Sequence, residues 1–304
     1  MKLAIFWLSY LWVPFVLVAL LTALRAAQDQ TRWLAIALIV LSLPLAWGRF
    51  VEPRLLLTVE TRIPISGFAG ATGQVRIALF ADTHIGQFKN AHSIETLVAR
   101  LETLSVDAVF LAGDILDDLP REDVHQAVAP LAKLSSPLFV VRGNHDIGAP
   151  GPDYGMVLWD ALQDTGATLV ENRSFDTEIG GQRFIVAGTS DLWQRDTAPR
   201  VRFETPDNVP VLFLSHNPDV ALSVPAEVKY ELLMAGHTHG GQIRVPYLTQ
   251  YVIPTEYPFD TGLHVMPDGR RVFVTAGTGM GGLPIRFRRP PRIDVLTLDF
   301  DTAD

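Results

Sequence analysis

The sequence predicts an α/β domain of two packed sheets with helices outside them, preceded by an apolar helical hairpin. Three observations carry this prediction. Residues 3–24 hold no formal charge, and a second apolar run follows at 33–47. From residue 76 onward, short apolar runs (RIALFA, AVFLA, LFVVR, VLFL, ELLMA) alternate with polar clusters. Between the first of these clusters lie segments whose apolar residues recur at helical spacing.

The first apolar run has the length that a hydrocarbon core requires, about 20 residues. The second, about fifteen residues long, falls between a core helix and a full span. Arg32 and Arg49 flank it and can snorkel to the interface, which extends it to Val51. Trp33 and Trp47 bracket it as interfacial aromatics do. Pro14 and Pro44 are tolerable in spans whose neighbours re-satisfy the backbone. A cleaved signal peptide is the alternative, but the first run is longer than a usual signal core and no A-x-A site closes it. The expected division is a two-helix transmembrane anchor at 1–53 and one domain at 54–304. Lys2, Arg49, Arg54 and Arg62 flank the hairpin, and Arg25 and Arg32 lie in its turn. The positive-inside bias then places the domain on the cytoplasmic side of the inner membrane.

Residues 54–65 alternate as a half-buried strand does. Helices are expected at 91–104, where Ile94, Leu97, Val98, Leu101 and Leu104 share a face, at 120–134, which opens on Pro-Arg-Glu-Asp, and at 156–165, stopped by Gly166. With the strands before them, these are spaced as βαβ units. Further strands are expected at 167–170, 183–187, 211–214, 231–235, 271–276 and 293–300.

The apolar runs end in ligand-type residues: Asp82-Thr83-His84, Gly113-Asp114, Gly143-Asn144-His145-Asp146, Ser215-His216-Asn217 and Gly236-His237-Thr238-His239. In open α/β sheets the C-terminal strand edge is where ligands bind. Asp82/His84 and His237/His239 stand two apart, the spacing that directs side chains to one face of a strand. Singly, each cluster has a bland reading: a helix cap for Asp82, a turn for Gly-Asp, a satisfied core histidine for His145. Together and in order they call for a multi-metal centre. Asp82, His84 and His239 can hold one ion, and Asn144, His216 and His237 a second, with Asp114 bridging through its two oxygens. Nitrogen and oxygen donors without sulfur suit manganese, iron, cobalt or zinc. His145 is expected off the metals as a proton donor, with Asp146 holding its other ring nitrogen. Asp117 is expected to buttress the site. Two ions about 3.5–4 Å apart clamp the attacking and leaving oxygens of an in-line displacement and bring a shared water towards a pKa of roughly 7.

Taken together, D-x-H, G-D-x-x-D, G-N-H-D, the lone His216 and G-H-T-H resemble the motif set of the calcineurin-like metallophosphoesterase superfamily over most of residues 76–300. The strings ADTHIG, AGHTHGGQ and GTGMGGLPIR resemble its membrane-associated bacterial branch. That branch is similar to enzymes that cleave the pyrophosphate of UDP-2,3-diacylglucosamine, and it also holds general phosphodiesterases and phosphatases. The resemblance implies a four-layer αββα metallophosphoesterase sandwich that hydrolyses a phosphodiester, phosphomonoester or pyrophosphate bond by metal-bound hydroxide attack. It implies two divalent ions, manganese foremost, with iron or zinc as alternatives. The ligand positions fall on Asp82, His84, Asp114, Asn144, His216, His237 and His239. His145 takes the place of the histidine that stabilises the transition state or protonates the leaving group.

Composition bounds the rest. A chain of 304 residues, 48% hydrophobic and 19% charged, can bury a core. A net charge of −8 argues against a nucleic-acid partner. The absence of cysteine excludes disulfides, thiolate nucleophiles and cysteine zinc sites. Arg142 and Arg244, beside ligand motifs, are candidates for bidentate phosphate contact. Arg286, Arg288, Arg289 and Arg292 are candidates for anionic head groups, and the glycine-rich loop 277–282 for a pocket mouth. The expected partners are a membrane and a phosphate-containing, lipid-linked substrate, with no obligate protein partner evident. Two alternatives stand beside this reading: a membrane-tethered metal-binding scaffold without turnover, and a dinuclear hydrolase of a non-phosphate ester or amide.

Overall fold

Strands that are apolar on both faces must be covered on both faces, so they pair in parallel and take helices as neighbours. The computed structural model describes residues 2–26, 28–68, 71–86, 88, 93–193, 208–251 and 253–300. Its strands, in chain order, are β1 (Leu57–Ile65), β2 (Gly73–Phe80), β3 (Ile85–Gly86), β4 (Ala108–Ala112), β5 (Leu116–Asp117), β6 (Leu138–Val141), β7 (Thr168–Leu169), β8 (Ser174–Ile179), β9 (Gln182–Gly188), β10 (Val211–Leu214), β11 (Leu232–Ala235), β12 (Gly262–Val265), β13 (Arg271–Val274) and β14 (Arg292–Phe300). One six-stranded sheet has the order β1-β14-β2-β4-β6-β7, and a second the order β12-β13-β11-β10-β9-β8. β2, β4, β6 and β7 run parallel, as do β9, β10, β11 and β13. β14 returns antiparallel to β2 and carries β1 parallel on its other side, with Leu298 opposite both Val75 and Ile63.

The helices are α1 (Lys2–Leu8), α2 (Trp12–Arg25), α3 (Asp29–Ala46), α4 (Ile94–Leu101), α5 (Val124–Val128), α6 (Gly155–Asp164) and α7 (Val220–Ser223). Between the sheets, Leu79, Phe110, Val141 and Leu298 share one buried cluster with Val186, Leu214, Met234 and Phe273. The other face of the first sheet, including Phe80, Val109 and Val140, is covered by residues of α4, α5 and α6. The other face of the second sheet, including Phe213 and Leu233, is covered by α7 together with Tyr230 and Phe259. These are the four layers expected, with the last one thin.

Two local expectations change. The helix expected at 120–134 is broken into a 3-10 turn Arg121–Asp123, α5 and a 3-10 turn Ala129–Lys133. Pro130 has no N–H to continue an α-helix. Of the helix expected at 91–104, Ala91 and His92 lie outside the described residues. The antiparallel edge strands β8 and β12 were not expected. Both are half-exposed, so they lack the apolar signal of the central strands.

The hairpin is longer than its apolar runs. Ala4–Arg25 covers 22 residues and Asp29–Arg54 covers 26, both apolar enough to cross a membrane. At 1.5 Å per residue they reach about 33 and 39 Å, against a hydrocarbon core of about 30 Å. The second gains length because α3 begins at Asp29 and continues through a π turn, Trp47–Val51, and a 3-10 turn, Glu52–Arg54. Within α2 and α3 the buried residues are Ala19, Ala23 and Ala35. Small residues let two helices approach closely without an apolar core of their own. Leu24 and Leu41 are 71% and 73% exposed. At its other end the hairpin docks on the domain. The Arg286 N–H donates to the Gly48 carbonyl at 2.9 Å, and the Phe6 ring stacks on Phe88.

Phe273 lies in the cluster between the sheets and is 1% exposed. Phe273→Ala is expected to cost about 3–5 kcal/mol and to lower the thermal midpoint of the purified protein by roughly 10 °C. A melting curve checks this.

Candidate metal centre

The parallel strands of both sheets end at one rim. Asp82 follows β2, Asp114 follows β4, Asn144 follows β6, His216 follows β10, and His237 and His239 follow β11. Each chain must turn sharply there. Asp82, His84, Asp114, His237 and His239 all take left-handed backbone angles, with φ of 54°, 44°, 51°, 70° and 51°. For residues other than glycine this costs of order 1–3 kcal/mol each and persists only where the surroundings impose it. Backbone bonds between neighbouring turns impose it here. Asp82 N donates to Gly113 O (2.9 Å), His84 N to Asp114 O (3.0 Å) and Gly236 N to His216 O (3.0 Å). His237 N donates to Asp82 Oδ1 at 3.1 Å, which ties the second sheet to the first. A Cβ on Gly143 would lie 2.2 Å from Asp114 Oδ1, so only glycine permits that approach.

The side chains converge in three overlapping groups: Asp82, His84 and His239; Asp114, His216 and His237; and His84, Asp114 and His145. His84 Nε2 and His239 Nε2 are 3.1 Å apart. His216 Nε2 is 3.1 Å from His237 Nδ1 and 3.1 Å from Asn144 Oδ1. Asp114 Oδ2 lies 3.5 Å from His84 Nε2 and 3.3 Å from His216 Nε2. Its Oδ1 accepts from His145 N at 2.9 Å. The seven expected ligand positions therefore come together, but one oxygen of Asp114, not two, faces both groups.

The donor set fits divalent ions. His216 Nδ1 donates to the Ala112 carbonyl at 2.7 Å, which fixes the ring with its Nε2 towards the cluster. Asn144 Nδ2 donates to Ala149 O at 2.7 Å, which turns its amide oxygen inward. Among the described residues, the buried atoms Asp82 Oδ2, His237 Nε2 and His239 Nδ1 have no hydrogen-bond partner. Burial pushes His84 down to about 4 and His237 down to about 3, and holds His239 well below the usual histidine range. Neutral imidazoles are what a metal ligates. Burial pushes Asp82 up to about 7, with the His216 charge opposing. Asp114 and His216 form a coupled pair. Against the burial of both, their mutual attraction holds the carboxyl low and the imidazolium high. Side chains alone thus leave Asp82 short of positive charge, which a cation would supply.

Asp146 does not hold His145. Its carboxylate accepts from the backbone N–H groups of Ile115, Leu116 and Gly143 at 2.9–3.2 Å. It clasps two turns together. Asp117 Oδ1 takes the expected place, 3.4 Å from His145 Nδ1, while Asp117 Oδ2 is 3.7 Å from His84 Nδ1. Arg142 and Arg244 are also engaged elsewhere, in ion pairs with Glu171 (2.8 Å) and with Asp260. Arg286 is fully buried and donates to the carbonyls of Ala276, Gly277, Gly279 and Arg289. Arg292 pairs with Asp294 at 3.0 Å.

A cleft of 370 Å³ opens on the cluster, lined by Asn144, His145, Trp193, His237, Gln242 and Gly281 among others. Three contributors escaped the sequence reading. Asp191 is 2% exposed, is pushed up by burial and interacts with the charge of His216. It follows β9 as the other clusters follow their strands, so the same signal could have found it. Trp193 meets His237 edge-on at 5.0 Å. Gln242 accepts from Gly281 N and donates to Gly281 O; it closes the string AGHTHGGQ, which carried the resemblance without giving this residue a role.

Gly143→Ala is expected to displace Asp114 and weaken manganese binding at least tenfold, with the circular dichroism spectrum unchanged. Isothermal titration of the purified variant checks this.

Comparison with known proteins agrees with this geometry. Residues 75–241 match the family described as calcineurin-like phosphoesterase. The chain is 29% identical to the uncharacterized metallophosphoesterase YkuE of Bacillus subtilis over 83% of its length and 88% of that protein. It is 30% identical to phosphodiesterase YaeI of Escherichia coli, covering 73% of this chain and 82% of that one. With a transmembrane protein with metallophosphoesterase domain from Danio rerio it shares 24% identity over 92% of this chain and 67% of the other. A rim of buried carboxylates and imidazoles on this sandwich, with a family match over more than half the chain, leads to one assignment: the chain belongs to the calcineurin-like phosphoesterase family and is a metal-dependent phosphoester hydrolase.

Proposed function

We propose that the protein is a membrane-anchored dinuclear phosphodiesterase or pyrophosphatase whose substrate is lipid-linked. The observation that carries the catalytic part is Asp114 Oδ2 set between His84 and His216, each the member of a separate ligand group. In this reading Asp82, His84 and His239 hold one ion, Asn144, His216 and His237 the other, and Asp114 joins them. Manganese leads, with iron or zinc as alternatives. Bound ions would lower the pKa of a shared water and neutralise charge on the phosphoryl oxygens. His145 lines the cleft with its Nδ1 side turned to Asp117, so its Nε2 side faces the opposite way. There it holds a proton for the departing oxygen, and Asp117 fixes the ring orientation. Asp146 acts on the turn, not on the substrate. The family leaves the scaffold and the amide-hydrolase alternatives without support.

Two observations support the membrane part. The hairpin helices bury alanines against each other and leave leucines outward, an arrangement suited to lipid and costly in water. The loop that walls the cleft at Gly281, Gly282 and Leu283 continues directly into Pro284 and Ile285, which pack on the hairpin. A homologue described as a transmembrane protein supports the same reading. The flanking arginines favour a domain on the cytoplasmic side of the inner membrane.

Turnover of bis-p-nitrophenyl phosphate separates the assigned roles. Chelation, or Asp114→Ala, is expected to abolish it. His145→Gln is expected to lower kcat by about 10²–10⁴ with metal content intact, and Asp117→Asn by roughly tenfold. Asp146→Asn should lower the melting temperature more than kcat. A wild-type rate in the metal-free enzyme would sink the proposal. Sidedness has its own test, since the chain contains no cysteine. A single Gln28→Cys in the hairpin turn should react with an impermeant maleimide added outside intact inner membrane, and would fail to react if the domain were external.

A further inference from the structure

The hairpin carries a charge that its own fold does not neutralise. Arg49 sits in the π turn at the domain end of the hairpin and is 5% exposed. Its Nε donates to Ser9 Oγ at 2.8 Å. Its guanidinium carbon lies 4.4 Å from the centroid of Phe6, 5.0 Å from that of Phe50 and 5.2 Å from that of Tyr10. Its charge also interacts with the Tyr10 side chain, but among the described residues its buried Nη2 has no hydrogen-bond partner and no carboxylate pairs with it. Attraction to aromatic rings offsets only part of the cost of desolvating a guanidinium. A snorkelling arginine would place its nitrogens in water, and this one is turned inward.

Arg49 also lines a cavity of 240 Å³ with Leu8, Ser9, Pro284 and Ile285. Trp12, Ala46 and Phe50 belong both to this cavity and to an adjoining trough of 890 Å³, which Val13, Leu43 and Phe287 help to line and no charged residue enters. A cation at one end and an uncharged apolar channel at the other complement an amphiphile with an anionic head. Both features lie at the domain end of the hairpin, away from its turn near residue 28, the end that would meet the head groups if the hairpin crosses a bilayer.

On the reading that the hairpin crosses the bilayer, we propose that this joint binds an anionic phospholipid. Its phosphate lies on Arg49 and one acyl chain lies along the trough. A guanidinium suits a phosphate because its planar N–H groups match two oxygens at once. The site is separate from the metal centre but shares a loop with it: Pro284 and Ile285 line the lipid cavity, and Gly281 to Leu283 line the cleft.

The test uses full-length protein in detergent, titrated with phosphatidylglycerol, with phosphatidylcholine of the same chains, or with inorganic phosphate, and read by native mass spectrometry. The wild type is expected to retain one phosphatidylglycerol at least tenfold more strongly than either other probe. Arg49→Gln should reduce this to the phosphatidylcholine level, Arg49→Lys should retain part of it, and Arg25→Gln, at the exposed far end, should leave it unchanged. A wild type without preference for phosphatidylglycerol, or one that takes inorganic phosphate equally well, overturns the proposal even if the variants fail to fold. Equal retention by a folded Arg49→Gln protein overturns it too. Alkaline carbonate extraction reads the anchor separately. Wild-type protein released by carbonate defeats the transmembrane reading, whereas embedded protein without lipid preference defeats the lipid site alone.

Discussion

One buried carboxylate organises the rim. Asp114 has one oxygen committed to the backbone of the turn carrying His145, and the other placed between His84 and His216. A charge removed from water costs several kcal/mol unless its surroundings return that energy. Here His216 supplies part of that charge, and the oxygen set between His84 and His216 is where the proposed ions would supply the rest. The rest of the rim follows from that demand. Five ligand-type residues, Asp114 among them, sit in left-handed turns at this rim. Cross-turn backbone bonds hold those turns in place, and the sheets behind them supply the rigidity.

Much of this was legible in the chain itself, for a physical reason. Central parallel strands must be apolar on both faces, so the polar residues that follow mark where each strand ends, and all of those ends share one edge. That argument located Asp82, Asp114, Asn144, His216 and His237 without knowledge of the turns. It failed where direction within a turn decides the outcome. Asp146 is the neighbour of His145 in sequence, yet consecutive side chains in a tight turn diverge, and three backbone N–H groups claimed its carboxylate. Asp117, nearly thirty residues earlier, reached the ring instead. Arginines misled for a similar reason. Arg142, Arg244 and Arg292 have carboxylate partners distant or close in sequence that no local pattern announces.

Arg286 shows how much a structural charge can do. Fully buried, it ties the carbonyls of Ala276, Gly277, Gly279 and Arg289 to one guanidinium, and so knots the glycine-rich loop into a fixed shape. Burial brings it down to about 10, with Asp82 opposing, so it remains charged near neutral pH. It therefore adds a fixed positive charge behind Asp82, while its own N–H anchors the loop to the Gly48 carbonyl of the hairpin. A residue whose position in a basic run suggested a head-group contact instead braces the wall between the cleft and the anchor.

That wall sets how far a substrate must travel. A Cβ on Gly281 would lie 3.1 Å from His239 Nε2, and Pro284, three residues on, lines the hairpin cavity. Three residues span at most about 11 Å when fully extended. On the anchored reading, the reacting phosphorus then lies within about one head-group layer of the bilayer. Under the proposed function, a lipid-borne phosphate would reach the cluster by a short displacement along the loop, with its chain still in the membrane. A water-soluble ester gains nothing from such placement and must diffuse to a surface that an unanchored enzyme would not impose. On the proposed reading, the substrate class therefore follows from the placement of these three residues rather than from the ligand-type cluster, whose chemistry any phosphoester would satisfy.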